Sequence, residues 1–116
     1  MADWKQLQLK GIEGRPVFPL SAQRTQQLLI EAFETGYLHV TSHFKQRGVE
    51  RNFNIIDTEN VIRHGKIVGE PEYDYRHENW RLRIKGMCEG RSLEVRLALD
   101  PNVDYECPLL ILITAV

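Results

Sequence analysis

The stretch Trp80-Arg81-Leu82-Arg83-Ile84-Lys85 decides the fold class. Apolar and basic side chains alternate along it with a period of two. That is the pattern of a half-buried strand with one face on a core and the other in water. The next run repeats it, with Leu93, Val95, Leu97 and Leu99 alternating with Glu94, Arg96 and Ala98. A third run, Leu109 to Ala115, is almost wholly apolar and suits a central strand buried on both faces. Gly86 to Gly90 and Asp100-Pro101-Asn102 read as the turns between them. Consecutive strands usually pair, so the three predict an antiparallel meander.

Upstream of Gly65 the period is helical. Ser21 is a good N-cap for a helix running to about Thr35, with Leu28, Leu29, Ala32 and Phe33 as its buried stripe and Gly36 ending it. Tyr37 to Thr41 is short and extended. A second helix covers His43 to Arg51, capped by Thr41 or Ser42 and stopped by Asn52. Gly48 inside it costs roughly 1 kcal/mol relative to alanine. Asn54 caps a third helix, with Asp57 in its first turn, Ile55, Ile56, Val61 and Ile62 as apolar surface, and Gly65 closing it. His64 sits where a cation favours the helix C-terminus. Lys66 to Gly69 is a short strand candidate, and Glu70 to Asn79 reads as a polar loop. Residues 1–20 form an irregular lead-in from which Trp4, Val17 and Phe18 are expected to dock on the core. The expectation is a single α+β domain over 1–116. Two to three N-terminal helices pack on one face of a three- to four-stranded antiparallel sheet.

At 116 residues, with 42% hydrophobic and 27% charged residues, the chain has ordinary globular composition. Its formal net charge of −1 gives no global pull toward nucleic acid or anionic lipid, so any such binding must come from a local patch. Cys88 and Cys107 lack metal-site or disulfide-framework spacing and read as two reduced thiols. The N-terminus lacks the pattern of a signal peptide, and the longest apolar run is too short to span a bilayer. The expected location is the cytoplasm, with no membrane partner.

Three features bear on chemistry. His43, Arg47 and Arg51 stand at i, i+4 and i+8, on one helical face. The plainest reading is a solvated row paired with Glu50, Asp57 or Glu59. Arg81, Arg83 and Lys85 share one strand face about 7 Å apart, close enough for two to grip one phosphate. Glu94 and Arg96 could instead be their cross-strand partners. Thr114 is the hydroxyl in the apolar strand and, by alternation, belongs to the face of Leu110 and Leu112. Phosphate-cradling loops, zincin helices and nucleophile elbows have no counterpart here. The acidic loop Glu70, Glu72 and Asp74 shows no ordered ligand pattern, so neither metal nor cofactor is expected.

Several fragments together resemble a bacterial family catalogued as domain of unknown function 4258. They are Ser42-His43, Arg47, Arg51-Asn52, Asp57, Asn60-Val61-Ile62-Arg63 and Gly65, then Glu78 to Ile84 and Leu110 to Val116. The match covers 41–116, leaving 1–40 as a lead-in and an extra helix. The resemblance implies the fold of RelE, barnase and colicin-type ribonucleases, and a place among bacterial toxins and toxin–antitoxin proteins. It further implies a metal-independent ribonuclease site of His43, Arg81, Arg83 and Thr114, with Arg47 near it; Arg47 and, from the basic strand, Lys85 are the expected substrate-binding residues. RNA and a cognate antitoxin or immunity protein are the implied partners. In that site His43 acts as general acid or base, the arginines stabilise the phosphorane, and Thr114 positions a phosphate oxygen or the ribose. The alternative is a non-catalytic module on the same scaffold, docking a partner protein or nucleic acid through its basic strand.

Overall fold

The structure, a computed structural model, describes Leu7 and residues 17–101 and 108–116. The expectations placed on Trp4 and Cys107 fall outside those residues. Among the described residues the chain forms three helices and one mixed sheet of six strands. Each helix starts on the side chain that its sequence offers. Helix α1 (Ala22–Thr35) begins where Ser21 accepts the Arg24 N–H at 3.1 Å, and ends on Gly36 at φ 80°. Helix α2 (Ser42–Arg51) is capped by Thr41 and stopped by Asn52 at φ 57°, left-handed backbone that asparagine tolerates. Helix α3 (Ile55–His64) opens on a reciprocal capping box. Asn54 accepts the Asp57 N–H at 3.0 Å, and the Asp57 carboxylate accepts the Asn54 N–H at 2.9 Å.

The strands are β1 (Leu38–Val40), β2 (Lys66–Ile67), β3 (Glu72–Asp74), β4 (Asn79–Cys88), β5 (Arg91–Asp100) and β6 (Leu109–Ala115). Their order is β1-β6-β5-β4-β2, with β3 also paired to β4. The β4-β5-β6 meander is as the alternation predicts. The expected antiparallel sheet of three to four strands is corrected in both number and sense. Strand β1 lies parallel to β6, Leu38 opposite Leu110, because the rest of the chain intervenes and supplies the long crossover that a parallel pair needs. Strand β3 lies inside the segment read as a polar loop, with Tyr73 opposite Trp80. Gly86 is not a turn residue: β4 runs through it, and the reversal falls at Glu89 (φ 50°) and Gly90 (φ 79°). Two consecutive left-handed residues make the tight turn whose twist matches a hairpin.

One face of the sheet carries Trp80, Leu82, Ile84, Val95, Leu97, Leu99, Leu110 and Leu112, all buried beneath α1 and α3. Trp80 is 1% exposed, donates its indole N–H to the Leu7 carbonyl at 2.9 Å, and meets Phe18 and Tyr73 edge-on. Phe18 therefore docks as expected, whereas Val17 is 79% exposed and does not. Helix α3 approaches β4 so closely that a Cβ on Gly65 would lie 2.6 Å from the Lys85 carbonyl oxygen. Gln26 of α1 closes the end of α3, its amide sharing two N–H donors among the carbonyls of Ile62, Arg63 and Gly65.

A register shift positions the other face. Leu97 pairs with Leu112 but Arg96 pairs with Thr114, leaving Ile113 as the extra residue of a β-bulge. Simple alternation placed Thr114 with Leu110 and Leu112; the bulge reverses it. Ala115 takes the buried face opposite Val95, and Thr114 turns to the outer face beside Arg96. Thr41 pins the shift where β1 gives way to α2, since its hydroxyl donates toward the carbonyls of Leu112 (2.9 Å) and Ile113 (3.2 Å).

Candidate functional site: a basic cleft on the outer face

On β4 the residues between Trp80, Leu82 and Ile84 are Arg81, Arg83 and Lys85, so pleating turns all three to the outer face. Cross-strand register then sets their neighbours. Arg81 faces Glu72 of β3 on one side and Ala98 of β5 on the other. Arg83 faces Arg96, and Arg96 faces Thr114. A row Arg83–Arg96–Thr114 therefore crosses three strands, which lie about 4.8 Å apart. These residues line a cleft of about 590 Å³ together with Glu70, Glu72, Leu82, Leu97 and Ile113.

The electrostatics of the cleft are uneven. Arg81 is committed, at 2.9 Å from the Asp74 carboxylate, with its Nε donating to Asn79 at 3.1 Å. Asp74 also holds His77 at 2.8 Å. The hydrogen bond from His77 chiefly, with the nearby Arg81 charge helping, holds the Asp74 carboxyl below the usual carboxylate range. Arg83 and Arg96 share one counter-charge. Glu94 bonds Arg96 at 3.0 Å and stands 4.0 Å from Arg83. Two arginines directly opposite each other disfavour the pairing, so their sequence positions cost stability rather than add to it. The Thr114 Oγ1 is buried with no hydrogen-bond partner among the described residues. A buried hydroxyl in that state is disfavoured until something bonds to it. Neither Glu70 nor Glu72 has its carboxylate bonded or ion-paired to a described residue.

Of the residues expected to form a site, the cleft brings together Arg81, Arg83 and Thr114. It does not bring His43 to them. His43 is exposed in the first turn of α2 and lines no part of the cleft, because the side of α2 that faces the protein is the one carrying Phe44. Arg47 is also outside it. That guanidinium pairs with Glu50 at 3.3 Å, while its buried Nε has no partner among the described residues. The ion pairing expected of the α2 row is present between Arg47 and Glu50. Lys85 shares the outer face but lies beyond the cleft, between Lys66 and Glu94.

Arg96, Glu70 and Glu72 also line the cleft, and the sequence did not single them out for a site. Arg96 looked like a counter-charge partner on the neighbouring strand, yet the register places a cation against a cation. Among the described residues no three His, Cys, Asp or Glu side chains gather where they could hold a metal ion. No helix among them is long and apolar enough to cross a membrane. A second hollow of about 360 Å³ lies between Val40, Phe44, Gly48, Val49, Phe53 and Ile55. Its lining is apolar apart from Lys45 and Asn54, which does not suit a phosphate. Compared with protein-family models, with curated proteins and with solved structures, the chain has no match.

Proposed function

We propose that this chain binds RNA through its phosphodiester backbone, in the outer-face cleft. The observation that carries the reading is the row Arg83–Arg96–Thr114, in which two arginines paired across the strands line one cleft with a threonine whose hydroxyl is buried and, among the described residues, unbonded. A phosphate oxygen relieves both conditions at once: it screens the arginines from each other and accepts the threonine O–H. With a net charge of −1, the chain relies on this local patch rather than on its overall field. The binding module is thus the better supported of the two expectations. The resemblance to the domain of unknown function 4258 family, and with it a RelE-like scaffold, is part of the same proposal.

The ribonuclease reading is second, and the clustering of Arg81, Arg83 and Thr114 favours it. In that reaction the ribose 2′-hydroxyl loses its proton and its oxygen attacks the adjacent phosphorus. The P–O5′ bond then breaks, and the 5′-oxygen takes a proton from water. His43 does not line the cleft, so the proton acceptor would be Glu70, with Arg83 and Arg96 on the phosphorane. Incubating single-stranded RNA with the protein, with and without chelator and across a salt series, separates the readings. Binding with a log–log salt slope between about −0.7 and −2 and no cleavage supports the module. Chelator-resistant cleavage abolished in Arg83→Ala and Glu70→Gln supports the enzyme. No binding at any salt concentration overturns both.

A further inference from the structure

Two features of the cleft pull in opposite directions. One end presents the Arg83–Arg96–Thr114 row, suited to an oxyanion. The other presents Glu72, next to Arg81, and Glu70, and Arg81 is already held by Asp74. A cleft that held only a phosphate chain gains nothing from two carboxylates that pair with no described residue, since they repel that chain. We propose that the cleft reads one guanine nucleotide of a single-stranded RNA, its phosphate on the Arg83–Arg96–Thr114 row and its base edge on Glu72, with Glu70 beside it. The inference rests on the cleft being an RNA site and deepens that reading by assigning the base.

The chemistry singles out guanine. An ionised carboxylate only accepts hydrogen bonds, and its two oxygens match two neighbouring donors. Guanine offers that pair on its pairing edge, the ring N1–H and the exocyclic amino group. Uracil presents one N–H between two carbonyls, which the second carboxylate oxygen repels. Adenine and cytosine each present one amino group beside a bare ring nitrogen. A pairing edge is free for such contact only in a single strand. The spacing also fits one nucleotide. Strands β3 and β5 are two strand intervals apart, about 10 Å, and Glu72 stands one pleat repeat along from the arginine row.

The test is a binding titration of the full chain with inorganic phosphate, guanosine 5′-monophosphate and uridine 5′-monophosphate, followed by NMR. The proposal expects guanosine monophosphate to bind about tenfold or more tighter than uridine monophosphate. In Glu72→Gln that preference shrinks to about threefold or less, while binding of inorganic phosphate is unchanged or tighter. Glu72 is exposed, so the substitution leaves the fold in place, and Glu70→Gln serves as the second variant. Equal binding of the two nucleotides overturns the base assignment and leaves the phosphate site standing. Failure of all three ligands to bind overturns both. A guanine preference that survives in both glutamate variants also refutes the proposal.

Discussion

Replacing Arg83 with alanine separates a functional arginine from a structural one. In the folded chain its side chain is 49% exposed and its guanidinium stands 4.0 Å from Glu94, an ion pair worth about 0–1 kcal/mol at such exposure. The same substitution removes the opposed charge of Arg96, relieving a cross-strand repulsion of roughly 0.2–1 kcal/mol. The two effects oppose each other, and stability should change by no more than about 0.5 kcal/mol, read from the midpoint of urea unfolding by circular dichroism. Affinity for RNA should respond very differently. One charge-assisted contact to phosphate is worth about 1.5–3 kcal/mol, a loss of about 10- to 150-fold. Anisotropy of a labelled single-stranded oligoribonucleotide measures it, and the salt slope should become shallower by about 0.7. A variant destabilised by more than about 1 kcal/mol with unchanged RNA affinity would refute the reasoning, because Arg83 would then be part of the scaffold.

Thr114→Val removes the unbonded hydroxyl at nearly constant shape. Urea unfolding should show stability unchanged or raised by up to about 1 kcal/mol, while RNA binding weakens. His43→Ala should leave stability within about 0.5 kcal/mol and RNA affinity unaltered by the same two assays, since the side chain is exposed and outside the cleft. Gln26→Ala strips three carbonyls at the end of α3 of their donor and should cost about 1–3 kcal/mol in urea unfolding. The Asp74 carboxyl titrates lower in the folded chain than in the unfolded one. It therefore contributes stability above the unfolded value near pH 4 that is lost as pH falls through the folded value. Unfolding curves of Asp74→Asn should accordingly be less pH-dependent than those of the parent below about pH 4.

What the sequence disclosed follows from how local each signal is. The caps Ser21, Thr41 and Asn54 act on backbone within three residues, and the helices begin where those side chains say. The long strands carry enough alternation for their faces to be read, and Arg81 and Arg83 stand on the outer face as expected. Strand β3 escaped because three residues, of which only Tyr73 packs on the core, have no periodicity to detect. The parallel partner of β1 depends on residues 72 positions away, which no local pattern encodes. Thr114 shows the sharpest limit. Its side depends on one extra residue in β6, and a single slip exchanges the faces of everything beyond it. The same slip completes the cleft by adding a hydroxyl to Arg83 and Arg96. His43 lies outside the cleft for a different reason: its link to Arg81, Arg83 and Thr114 came only from resemblance, and α2 turns a different side, that of Phe44, to the protein.

The central claim is that RNA binds on the outer face of the sheet, and chemical-shift mapping of the ¹⁵N-labelled chain with a short single-stranded RNA tests it most directly. The account predicts saturable shifts concentrated at Glu72, Arg81, Arg83, Arg96 and Thr114, with the amides of His43 and Arg47 unmoved. Shifts centred on α2, or none on the outer face at saturating RNA, would contradict it.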